Sequence, residues 1–90
     1  MTKHRKAHVH LYSCLGKVIQ DRRKKLNLSQ EELAKEADVN RPFLSNVEHG
    51  KRNPSIGALT NIAEGLKIKV SRLMGMCEEC IRLQEEEPGA

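Results

Sequence analysis

Apolar residues recur at helical spacing in five stretches of this chain, separated by short polar corners. In the first, Leu15, Ile19, Arg23 and Leu26 stand at i, i+4, i+8 and i+11 with Val18 beside them, which predicts a helix over about residues 13–26. Arg23 falls on the face that otherwise turns inward, so it needs a partner. Leu33, Ala34 and Ala37 mark one face of a short helix at 30–37, while Leu44 and Val47, joined by Phe43, mark another at 41–48. Ile56, Leu59, Ile62, Ala63 and Leu66 predict a fourth helix at 55–66. Val70, Leu73, Met74, Cys77 and Ile81 form a stripe that predicts a fifth at 70–82. The expectation is an all-α fold of five helices.

The corners carry the chemistry that starts and stops helices. Ser29 and Glu32 form an S-x-x-E capping box, so a helix should open at Gln30. Asp38 marks its exit, because Asp tolerates the left-handed conformation better than most residues. Asn40 is a strong N-cap and Pro42 is accepted in a first turn, where its missing N–H has no intrahelical partner. Gly50 ends that helix as a C′ glycine. Pro54 cannot continue a helix and Ser55 caps the next. Gly75 either breaks the fifth helix or only weakens it.

Both ends lack apolar periodicity. Residues 1–12 are rich in Lys, Arg and His and read as a flexible basic arm, either following DNA or uninvolved. Residues 13–76 form the domain proper, and residues 77–90 are the end of the last helix and an acidic tail, with QEEEPGA from 84 onward too polar to fold.

After packing has taken its share, Arg41, Pro42, Ser45, Asn46 and His49 point outward from the helix at 41–48. Together with Gln30, Ala34, Asp38, Leu44, Val47 and the Glu48-His49-Gly50 that follows, this segment resembles the helix-turn-helix of the phage repressor and Cro family of bacterial transcriptional regulators. The likeness covers roughly residues 13–74. Asp38 stands where that family usually has Gly, and Lys69 where it usually has Ser, Thr or Asp. The resemblance implies a five-helix DNA-binding domain whose second motif helix lies in the major groove. It implies phosphate contacts from Gln30 and from the basic turn Lys51-Arg52-Asn53; Asn40 serves only as a cap, or as cap and phosphate contact together. It also implies an ion pair between Arg23 and Glu48, and a twofold interface along the fifth helix, through Val70, Leu73, Met74, Cys77 and Ile81. Base reading follows from side-chain chemistry: Arg41 matches guanine O6 and N7, Asn46 matches adenine N6 and N7, Ser45 serves either, and Pro42 touches a thymine methyl.

Charge sharpens this picture. The 90 residues carry a net charge of +4, but residues 1–28 hold eight Lys or Arg against one Asp, while residues 77–90 hold one Arg against five Glu. A basic entry and acidic exit suit a domain that turns one end toward polyanions. The expected partners are palindromic double-stranded DNA and a second copy of the chain, with a further protein partner, as in an antitoxin, as the alternative. With one Phe, one Tyr and no Trp the core must be aliphatic, and a chain this short leaves no room for a deep enzyme cleft. No enzyme activity and no cofactor are expected. No apolar run approaches the roughly 18 residues of a membrane span, and the start lacks an apolar signal region, so the expected location is the cytoplasm.

The three cysteines are expected to be free thiols, since an odd count in a cytosolic chain argues against a disulfide framework. Cys77 and Cys80 form a C-x-x-C whose sulfurs share one side of a helix and pack as small hydrophobes, with redox sensing or metal binding as the alternative. His8 and His10 form an H-x-H pair without further ligands at a recognised spacing, so no metal site is expected.

Overall fold

A computed structural model describes residues 3–86, with side chains described from His10 onward. Five helices follow one another: α1 (Lys3–Lys25), α2 (Gln30–Glu36), α3 (Arg41–Glu48), α4 (Ile56–Gly65) and α5 (Val70–Glu85). Leu33, Leu44, Ile19, Ile62, Leu66 and Leu73, one or more from every helix or its cap, have essentially no exposed surface and meet in a single core. Each such side chain contributes on the order of 1.5–3 kcal/mol relative to exposure. Among the described residues no helix is long and apolar enough to cross a membrane.

Two boundaries differ from expectation. Residues 3–12, expected as a flexible arm, belong to α1. Ser13 does not cap that helix; its hydroxyl donates to the His10 carbonyl at 3.1 Å, one turn back inside the helix. Leu11 packs against the core, so the apolar face begins earlier than Leu15. At the other end α5 continues through Gly75, where a Cβ would meet only open space, and includes Gln84 and Glu85 of the expected acidic tail. Arg82 holds this last turn by pairing with Glu79 and, at 2.7 Å, with Glu86. Residues 87–90 of the tail lie outside the described residues.

The corners are built by residues in the left-handed region. Asn27, Asp38 and Lys67 have φ of 61°, 56° and 56°, and Gly50 has 74°. Asp38 turns the chain from α2 toward α3 while the Val39 N–H returns to the Ala34 carbonyl at 3.0 Å. The end of α4 is closed from outside: Arg22 donates from Nε to the Leu66 carbonyl at 3.0 Å and from Nη2 to the Lys67 carbonyl at 3.2 Å. A cation is thereby placed at the negative end of the helix dipole.

Candidate nucleic-acid interface

α2 and α3 form the two arms of a corner. The Ser29 hydroxyl accepts from the Glu32 N–H at 3.0 Å and the Glu32 carboxylate accepts from the Ser29 N–H at 2.8 Å, so α2 starts sharply at Gln30. The buried Ala34 and Ala37 add little bulk on the inner face of the corner. α3 starts as sharply, with the Asn40 side-chain oxygen accepting from the Phe43 N–H at 2.7 Å. That oxygen is spent as a cap, leaving the Asn40 amide nitrogen for any outside contact. Leu44 and Val47 face the core, Arg41 and Pro42 are exposed, and Ser45 and Asn46 are half-exposed. The exposed His49 closes α3 with its ring Nδ1 at 2.7 Å from the Ser45 carbonyl.

Behind α3 lies a chain of four polar side chains. Arg23 donates from Nε to Glu48 Oε2 at 2.7 Å and from Nη2 to Oε1 at 3.0 Å, with both side chains buried, and its third nitrogen reaches the Leu28 carbonyl at 2.8 Å. Fork-on-fork pairing of this kind satisfies both ions where water cannot. Gln30 donates from Nε2 to the same Glu48 Oε1 at 2.9 Å. Its amide orientation is therefore set, since the carbonyl end would repel the carboxylate. The Gln30 oxygen is left to accept from Arg41 Nη1 at 3.2 Å. Gln30 thus acts inside the motif, between the buried pair and the outermost residue of α3. Among the described residues no buried side-chain nitrogen or oxygen lacks a partner.

α1 supports α3 by close approach. A Cβ at Gly16 would run into the carbonyl oxygens of Val47 and Glu48. Sequence reasoning passed over this residue, although a glycine in the middle of an amphipathic helix is the signal that another backbone comes near. Beyond Gly50, Lys51, Arg52 and Asn53 are exposed while Pro54 is buried. The Arg52 guanidinium lies 5.5 Å from the centre of the Phe43 ring, which anchors the basic turn beside α3.

This geometry has relatives. Residues 19–73 match the helix-turn-helix family, more than half of the chain. The chain belongs to that family. It is 38% identical over 68 residues to the control protein C.BamHI of Bacillus amyloliquefaciens, covering 70% of this chain and 84% of that one. It is similar in structure to the restriction-modification controller protein C.AhdI of Aeromonas hydrophila, with 31% identity, TM-score 0.67, and 69% and 94% of the two chains covered. It is also similar to a variant of C.Esp1396I bound to its operator site OM, with 30% identity, TM-score 0.75, and 81% and 96% covered.

As a helix-turn-helix protein the chain presents a different outer face on α5 from the one expected. Leu73 and Cys77 have no exposed surface because they close the chain's own core, so neither is available to a partner. Val70, Met74 and Ile81 pack half-buried against the same core. The outward side instead shows Met76 and Leu83, 41% and 56% exposed, with a shallow groove of about 510 Å³ lined by Ser71, Arg72, Gly75, Met76 and Glu79.

The cysteines also depart from expectation. Cys14 and Cys80 are joined by a disulfide, with Cα atoms 5.8 Å apart, and only Cys77 is free. The bond forms because α1 and α5 lie side by side, bringing together residues 66 apart in the chain. Burial pushes the Cys77 thiol above its ordinary value, with the neighbouring Glu78 charge adding to the effect. The described residues contain no cluster of His, Cys, Asp or Glu able to hold a metal ion. The side chain of His8 lies outside the described residues.

Proposed function

We propose that this chain is a sequence-specific regulator of transcription, a repressor that binds a palindromic operator as a homodimer in the cytoplasm. The observation that supports it most is the outward face of α3, where Arg41 is held by Gln30 in front of a buried ion pair instead of lying against the protein. In the major groove Arg41 would pair with guanine O6 and N7, Asn46 with adenine N6 and N7, Ser45 with either base, and Pro42 with a thymine methyl. Lys51, Arg52 and Asn53 would hold phosphates on one flank and the Asn40 amide nitrogen would do so on the other, with Gln30 adding to them through the motif's first turn. The relatives named as control proteins, one of them seated on an operator, support the same reading.

One copy reads only a few base pairs, so a twofold pair is required for a long site. The outward groove of α5 lined by Ser71, Arg72, Gly75 and Met76 is the surface proposed for the second copy, in place of the inward-facing Leu73 and Cys77, and it leaves Leu83 uncovered. Selection of bound sequences from random duplexes tests the whole reading. The expected result is an enriched palindrome with half-site centres about 34–36 Å apart. Recovery of unenriched sequence at moderate salt would overturn it.

A further inference from the structure

All three cysteines of the chain lie along one seam. The Cys77 thiol donates to the Leu11 carbonyl at 3.7 Å, and one turn further on Cys80 is bonded to Cys14. Both contacts span 66 residues, so α1 and α5 run in the same direction with a fixed register. Cys14 and Cys77 are sealed, at 1% and 0% exposure, but Cys80 is half-buried and lines a groove of about 300 Å³ between the two helices, beside Val18, Met76 and Leu83. Cys80 is therefore the less buried partner of the bond. The helix it fastens starts at Val70 with no side-chain cap bond from Lys69 and carries Gly75 in its interior. α1, at the other end of the bond, presses Gly16 against the end of α3.

We propose that Cys14 and Cys80 form a reversible thiol–disulfide site, and that its reduction by a dithiol loosens α5 from α1 and weakens binding to duplex DNA. The last step rests on the reading of α3 given above. A thiolate of the reductant attacks the Cys80 sulfur, and the Cys14–Cys80 bond breaks with Cys14 leaving as a thiolate that takes up a proton. The second thiol of the reductant then displaces Cys80 from the mixed disulfide. The reductant departs as a disulfide, and two electrons and two protons remain on the two cysteines. Where thiols are held reduced, disulfides that do form are chiefly transient or redox-sensing. The reduced chain stays folded because its three thiols pack as small hydrophobes in the seam.

The full chain is treated with oxidised glutathione or with dithiothreitol, then denatured, alkylated and weighed. One modified thiol, Cys77, is expected in the oxidised chain and three in the reduced one. Reduction should lower the melting temperature by on the order of 10–20 °C, because the bond closes a long loop. It should also raise the half-saturating concentration for a short random-sequence duplex at low salt by about tenfold. Cys14→Ser and Cys80→Ser, with two modified thiols under both treatments, should melt and bind duplex as the reduced chain does, and Cys77→Ala should keep the response. Three modified thiols after oxidation would overturn the site, and equal duplex affinity in the two states would overturn the switch. Failure to bind any duplex in either state counts against the reading of α3 and the last step, while alkylation and melting still decide the redox site.

Discussion

Arg41 donates from Nη1 to Gln30 Oε1 at 3.2 Å, tying the exposed guanidinium that opens α3 to the first residue of α2. Since Gln30 is itself oriented by Glu48, the exposed Arg41 side chain inherits its direction from a buried ion pair. Gln30→Leu keeps the volume and removes both hydrogen bonds. The expected outcome is a loss of about 1 kcal/mol, roughly fivefold, in discrimination at the one base pair proposed for Arg41. The check is titration against the selected operator and against versions altered one position at a time. Uniform weakening at all positions would show that Gln30 serves phosphate contact alone.

The buried pair itself is a matter of stability. Arg23→Ala leaves the Glu48 carboxylate inside the protein with only the Gln30 amide, and such unpaired charges cost about 3–5 kcal/mol. For a domain of this size that is a large share of the total. Urea unfolding should therefore show a much lower midpoint for the variant, by on the order of 2 M. The double variant Arg23→Met with Glu48→Leu removes both charges and should recover most of the loss, which separates electrostatic desolvation from simple loss of packing.

How far the sequence carried depends on the range of the interaction. The caps at Ser29, Asn40 and Ser55, and the left-handed Asp38, are local devices in which one side chain serves backbone groups a few residues away, so they were legible from spacing alone. The all-α architecture followed from periodicity for the same reason. Misreadings arose where distant segments decide. A stripe such as Val70, Leu73, Met74, Cys77 and Ile81 states that a face is apolar, not whether α1 or a second copy covers it, and here the chain's own core takes Leu73 and Cys77. Cys14 and Cys80 meet only through the side-by-side packing of the first and last helices. The start of α1 lies well before residue 13, so Ser13 is interior and its hydroxyl serves a carbonyl one turn back. The Gln30 link between Glu48 and Arg41 needed coordinates, because nothing in the sequence orients an amide.

Glycines in the two longest helices give opposite expectations from one substitution. In an exposed helix interior Gly→Ala stabilises by up to about 1 kcal/mol. Gly75→Ala should do so, because nothing lies within 4 Å of the added carbon. Gly16→Ala should instead destabilise by about 1–3 kcal/mol, as the new methyl group forces α1 away from the Val47 and Glu48 carbonyls. Paired thermal melts check this, with shifts of about 4–8 °C per kcal/mol and opposite sign. Because α1 supports the end of α3, Gly16→Ala should also weaken operator binding beyond what its stability loss explains.

Phosphate and base contacts separate by their response to salt and sequence. Arg41 stands at the exposed start of α3, whereas Lys51 stands on the exposed basic turn after Gly50, past the end of α3. Arg41→Ala should cost about 1–3 kcal/mol on the selected operator and little on unrelated duplex, relaxing specificity at one position. Lys51→Ala should weaken both duplexes alike and reduce the slope of log affinity against log salt by about one. Titrations of both variants across a salt series on both duplexes give the four curves needed. If Arg41→Ala changes the salt slope but not the preference for operator, Arg41 belongs with the phosphate contacts, and base reading by α3 must rest on Ser45 and Asn46.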